Sequence, residues 1–163
     1  MSKRIVFFVF LLVSSIKIFG QYVHHYESLP KYIGRVNDFE HILTDNQIKN
    51  LTKIINDFEV KTTNEIAIVT VDSIRPYEDI VPYSVDLGTL WGIGKKGKNN
   101  GLLVVVSKGL RKIRISTGYG TEKILKDEIC KKIIDTQMIP EFKNGDYYNG
   151  IKNGLLALID KWQ

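Results

Sequence analysis

Asn99-Asn100-Gly101-Leu102-Leu103-Val104-Val105-Val106, answered by Ile113-Arg114-Ile115-Ser116-Thr117-Gly118-Tyr119-Gly120-Thr121-Glu122, decides the fold of this chain. A polar turn feeds five consecutive apolar residues, the pattern of a strand buried on both faces. Ser107-Lys108-Gly109-Leu110 then turns the chain. The next run alternates, with Ile113, Ile115 and Thr117 on one side and Lys112, Arg114 and Ser116 on the other. That reads as a half-exposed antiparallel partner whose basic residues discourage edge-to-edge pairing. Oxygen donors and bare backbone collect at the loops beside these strands, where a rigid α/β sheet can hold a ligand.

Upstream, Glu65-Ile66-Ala67-Ile68-Val69-Thr70-Val71 is a second strand, apolar on both faces and therefore expected to be covered on both sides. Leu43-Thr44-Asp45-Asn46-Gln47-Ile48 opens a helix through a capping box of Thr44 and Gln47 and a staple of Leu43 and Ile48. Ile48, Leu51, Ile55 and Phe58 carry it at helical spacing to about Glu59. A second helix is expected from Asp79 to Trp91, with Pro82 in its first turn and an apolar stripe of Val81, Val85, Leu87, Leu90 and Trp91. Ile93 to Asn100 is rich in glycine, lysine and asparagine and reads as a mobile basic loop. Three helical pieces follow: a short one at Thr121–Leu125, one from Asp127 to Met138 stopped by Pro140, and one from Asp146 to Trp162. Gly150 and Gly154 on the last helix allow a close approach.

The strands at Glu65–Val71 and Leu102–Val106 are joined through a helix, so they are expected to be parallel. The reading is α/β: a three-layer α/β/α sandwich around a small mixed β-sheet.

At the amino end, Lys3 and Arg4 precede the apolar run Ile5–Val13, a secretory signal peptide over residues 1–20 with cleavage before Gln21. Residues 21–35 lack periodicity and read as a tether, although Tyr32–Val36 has the composition of a strand; residues 36–163 form the domain. The product is expected to be exported, periplasmic or secreted, with no stable membrane span after cleavage and no further apolar segment before Gln163. The 163 residues carry a net charge of +5, of which Lys3, Arg4 and Lys17 supply three, so the cleaved chain is at about +2. That is too weak a field to imply nucleic acid as partner. The lone Cys130 lies in an apolar helical pattern and reads as buried and inert. His24, His25 and His41 show no zinc spacing.

Asn99, Asn100, Glu122 and Asp127 are oxygen donors near the ends of the two strands, and Asp38 could join them from just before the first helix; this is the ligand type that Ca²⁺ takes six to eight at a time. Each has a plainer role: Asp127 as an N-cap, Asn100-Gly101 as a turn pair. The backbone N–H groups of Gly120 and Thr121, at a strand-to-helix turn, are the places where an anion such as a phosphate would sit. The same turn also reads simply as tight backbone. It is neither a dinucleotide fingerprint nor a Walker loop.

Several phrases in order complete the reading. They are Val36-Asn37-Asp38 before Leu43-Thr44, Trp91-Gly92-Ile93-Gly94, Asn99-Asn100-Gly101-Leu102-Leu103, Gly118-Tyr119-Gly120-Thr121-Glu122 and Ile139-Pro140-Glu141-Phe142-Lys143-Asn144-Gly145-Asp146-Tyr147. With them the chain resembles the TPM domain family, exported bacterial proteins related to a plant thylakoid-lumen protein of photosystem repair. The resemblance implies an α/β/α sandwich and a divalent metal, calcium first, held by loop oxygens at Asp38, Asn100 and Glu122. It also implies phosphatase activity toward phosphate esters, as described for a plant relative, or else a non-catalytic envelope module that assists assembly or quality control of membrane proteins. Asn99 departs from the aspartate the family favours there, which removes one negative charge from the expected site.

Overall fold

The computed structural model describes residues 25–162, so the expected signal segment and its cleavage point lie outside the described residues. Four strands form one sheet in the order β1 (Val36–Asp38), β2 (Glu65–Thr70), β3 (Gly101–Ser107), β4 (Lys112–Thr117). The first three are parallel and β4 is antiparallel to β3, the mixed sheet expected from the pattern. All seven residues of β3 are buried, which is why it reads as an unbroken apolar run.

The two faces of β2 and β3 feed two separate cores. Ile66, Ile68, Leu102, Val104 and Val106 pack with Ile115 under α1 (Asp45–Thr62) and α5 (Tyr147–Lys161). Ala67, Val69, Leu103 and Val105 pack under α2 (Ile80–Leu90). Helix, sheet and helix are thus the three layers. The capping box forms as expected: Gln47 N–H donates to Thr44 Oγ1 at 3.3 Å and Thr44 N–H to Gln47 Oε1 at 2.8 Å.

Three expectations are corrected. The stripe on α2 is not the one hydropathy suggests: Val81, Val85 and Leu90 are 42%, 52% and 47% exposed, while Ile80, Tyr83, Ser84 and Leu87 face the sheet. Two polar residues are accommodated inside because each finds a partner. Asp86 accepts from Tyr77 Oη at 2.8 Å, and Ser84 Oγ lies 2.7 Å from Ser116 Oγ on β4. Second, Pro140 does not stop a helix. α3 (Asp127–Ile133) widens into a π-helical turn, Ile134–Met138, and continues as α4 (Ile139–Lys143) with Pro140 in its first turn. A missing N–H is harmless there. Third, Thr121–Leu125 makes hydrogen-bonded turns rather than a helix, with Ile124 N–H and Leu125 N–H both donating to Thr121 O.

Gly150 and Gly154 do permit a close approach, because a Cβ on either would meet Phe142 or Met138 at 2.4–2.7 Å. Within 25–35, Leu29 is buried in the α2 core, Trp91 Nε1 donates to Pro30 O at 2.8 Å, and the Tyr32 and Trp91 rings meet edge-on with centroids 5.2 Å apart.

Candidate functional site

Asn99–Gly101 and Gly118–Glu122 come together as a double turn at one end of the sheet. Gly118 N–H donates to Gly101 O at 2.9 Å, Gly120 N–H to Asn99 O at 3.0 Å, and buried Thr121 Oγ1 to Gly101 O at 2.9 Å. The glycines are required by proximity: a Cβ on Gly118 would lie 2.4 Å from Asn99 O, and one on Gly120 2.1 Å from Lys98 O. Asn99 is left-handed (φ 49°), a conformation that asparagine tolerates better than most residues. The Asn99 and Glu122 side chains stand in solvent at the rim of this clamp.

The remaining expected ligands do not join them. Asn100 is buried and committed: Oδ1 accepts from Lys95 N–H at 2.9 Å, and Nδ2 donates to Thr63 O at 2.9 Å and Asn64 Oδ1 at 3.1 Å. Asp38 stands at the opposite end, paired with Thr70, whereas Glu65 at the other end of β2 pairs with Gly101. Five residues of strand separate the two levels, about 16 Å. The Asp38 carboxylate accepts from Ile42 N–H at 3.2 Å, Leu43 N–H at 2.8 Å and the Thr70 hydroxyl, so it organises the approach to α1. Asp127 is exposed on the first turn of α3, one residue past the N-cap Lys126. The Gly120 amide, expected to receive an anion, already donates to Asn99 O, and Thr121 N–H points at the same oxygen at 3.4 Å. Among the described residues no three His, Cys, Asp or Glu side chains gather as a metal-binding group.

The basic loop before the clamp is tied down at several points. Gly94 N–H donates to Glu65 Oε2 at 2.7 Å, the Lys95 ammonium pairs with Glu65, and Lys98 Nζ donates to Thr63 Oγ1 at 2.9 Å. Burial pushes the Glu65 carboxyl up, but Lys95 and the Gly94 N–H outweigh it and hold it below the usual glutamate range. Cys130 is buried, and burial drives its thiol up to about 11, as an inert core cysteine requires.

A feature that sequence reasoning missed lies at the carboxyl ends of the parallel strands, where open α/β sheets commonly take ligands. A cleft of about 830 Å³ runs between Glu40-His41 and Asn144–Tyr148. The Glu40 carboxylate is engaged by Lys108 N–H at 2.8 Å and Gly109 N–H at 2.7 Å. The only signal for it is the phrase Ile139–Tyr147, which supplies one wall.

Residues 36–161 match the TPM domain. The chain belongs to the TPM domain family. An N-terminal domain of a P. gingivalis protein, solved by NMR, is similar at 33% identity over 77% of this chain and 79% of that one, with a TM-score of 0.71. The BA42 protein of Bizionia argentinensis is 21% identical over 77% of this chain and 88% of its own, TM-score 0.63. The N-terminal domain of cg2496 from Corynebacterium glutamicum is 14% identical over 84% and 85%, TM-score 0.62. These last two likenesses speak to the fold alone. No curated protein matches the chain. Among the described residues no helix is long and apolar enough to cross a membrane.

Proposed function

We propose that this TPM domain is an exported, non-catalytic binding module that takes up a divalent cation, calcium first, weakly at the double turn. The observation carrying this reading is that exposed Asn99 and Glu122 sit on two turns joined by backbone hydrogen bonds, a clamp that Gly118 and Gly120 allow to close. The Asn99 amide oxygen and the Glu122 carboxylate would hold the ion, with water completing the oxygen shell that calcium prefers. One carboxylate beside Lys95, Lys96 and Lys98 supplies little negative charge, so affinity belongs in the millimolar class of extracellular calcium modules. Asn100 and Asp38 support the loops through their hydrogen bonds and stay outside this ligand set.

The phosphatase alternative is less favoured. It needs Asp38 and the double turn to act together, and the sheet separates them; the Gly120 amide that would receive a phosphate is engaged within the clamp. Thermal melting with and without calcium tests binding, because a ligand of the native state raises Tm by mass action. Millimolar Ca²⁺ is expected to raise Tm where equal ionic strength of NaCl does not. Hydrolysis of an aryl phosphate by purified protein, lost in Glu122→Gln, would overturn the non-catalytic reading.

A further inference from the structure

A second groove, of about 550 Å³, lies between the β3–β4 hairpin and α4, with Arg111, Lys112 and Lys143 on its rim and Ile139, Phe142 and Tyr147 among its apolar residues. Cations line it without a single carboxylate. Among the described residues none of the three forms an ion pair with a carboxylate. The apolar wall is preformed: the Phe142 and Tyr147 rings stack with centroids 4.9 Å apart at 22°. Lys108 Nζ adds a further cation 5.6 Å from the Tyr147 ring centroid.

An independent observation points to Arg111. It closes the hairpin turn, its N–H donating to Lys108 O at 3.2 Å, with a left-handed backbone at φ 51°. Glycine or asparagine is the favoured residue at such a position, and an L side chain there is strained. The turn has a glycine, but at Gly109, two residues away from where the backbone needs it. A long guanidinium side chain is therefore kept at a strained position on the rim of a basic, apolar-walled groove. Strained backbone of this kind is found at ligand clamps as well as at turns and helix ends, and here it coincides with a basic groove.

We infer that this groove binds a small amphiphilic carboxylate, its charged end held by Arg111, Lys112 and Lys143 and its apolar body lying on Ile139, Phe142 and Tyr147. The groove's volume is in the range of small-molecule sites. Charge complementarity selects the anion and the ring pair selects an aromatic or short acyl body. The proposal uses neither the double turn nor calcium, and it stands apart from the function proposed above.

The test is a ¹H–¹⁵N NMR titration of the protein with 4-phenylbutyrate at low salt, with 4-phenylbutyramide as the uncharged control. Saturable shifts are expected at the amides of Ile113, Phe142 and Tyr147, and the carboxylate is expected to bind at least fivefold tighter than the amide. Arg111→Gly is expected to weaken phenylbutyrate at least fivefold while leaving Tm unchanged or higher, because glycine relieves the left-handed strain. Lys143→Ala, on an exposed helix position, is expected to weaken it as well without a change in fold. Shifts confined to other parts of the surface, equal binding of acid and amide, or undiminished affinity in Arg111→Gly would each overturn the proposal.

Discussion

Gly120→Ala is expected to be among the most damaging single-methyl additions near the double turn. The added Cβ would stand 2.1 Å from Lys98 O and 3.1 Å from Asn99 O, and both atoms are backbone, so no side-chain rotation can make room. The turn must separate from Lys98–Asn99. Overpacking of this kind costs about 1–3 kcal/mol. The hydrogen bond from Gly120 N–H to Asn99 O, 3.0 Å, is lengthened or lost as the turns part, a further 0.5–1.5 kcal/mol or so. The sum is about 1.5–4.5 kcal/mol, which for a domain of this size lowers Tm by roughly 5–20 °C. Gly34→Ala is the control, since its Cβ would meet nothing within 4 Å and its effect should stay within about 0.5 kcal/mol. Urea unfolding followed by far-UV circular dichroism measures both. If Gly120→Ala unfolds within about 0.5 kcal/mol of the parent, the two turns are not clamped as described.

Thr44→Ala removes the Gln47 N–H acceptor of the capping box and should destabilise by about 1 kcal/mol in the same urea assay; an unchanged midpoint would show that α1 does not depend on its cap. Glu65 has a lowered folded-state pKa, so its stabilisation is complete above the ordinary value of 4.5 and drains away as pH falls through the folded value. Glu65→Gln should therefore lower stability at neutral pH and flatten the acid side of the stability–pH curve, and a parallel curve would refute the pairing with Lys95 and Gly94. Cys130, buried with its thiol raised to about 11, should resist a thiol reagent at pH 8 until denaturant is added, whereas rapid labelling of the native protein would contradict its placement.

Much of the sheet was legible because its signals are local. Five apolar residues after Asn100-Gly101 mark β3, and the alternation from Lys112 to Thr117 marks β4. The capping box at Thr44 fixes where α1 begins. What escaped was decided by hydrogen-bond partners and backbone register, which hydropathy does not encode. The inward face of α2 includes Ser84 and Asp86, which hydropathy assigns outside and which Ser116 and Tyr77 make tolerable inside. Pro140 looks like a stop signal until the π-helical turn before it shifts the hydrogen-bond register, with Ile139 N–H reaching Ile134 O. The site was legible in composition and illegible in geometry. Asp38 and Asn100 have the right chemistry for an ion, but only the strand register reveals that one is at the far end of the sheet. Likewise, only the hydrogen bonds reveal that the other is occupied by Lys95, Thr63 and Asn64. Arg111 shows the converse: an unremarkable basic residue in the sequence acquires meaning from a backbone angle.

The most direct test of the proposed cation site is a Ca²⁺ titration of the ¹H–¹⁵N NMR spectrum, run on the parent and on Glu122→Gln. The account predicts saturable shifts in the millimolar range at Asn99–Gly101 and Gly118–Glu122, absent in Glu122→Gln. Ile42 and Leu43, whose amides report on Asp38 at the other end of the sheet, should stay still. Shifts that appear at Ile42 and Leu43 instead, or loop signals that do not move at all, would contradict it.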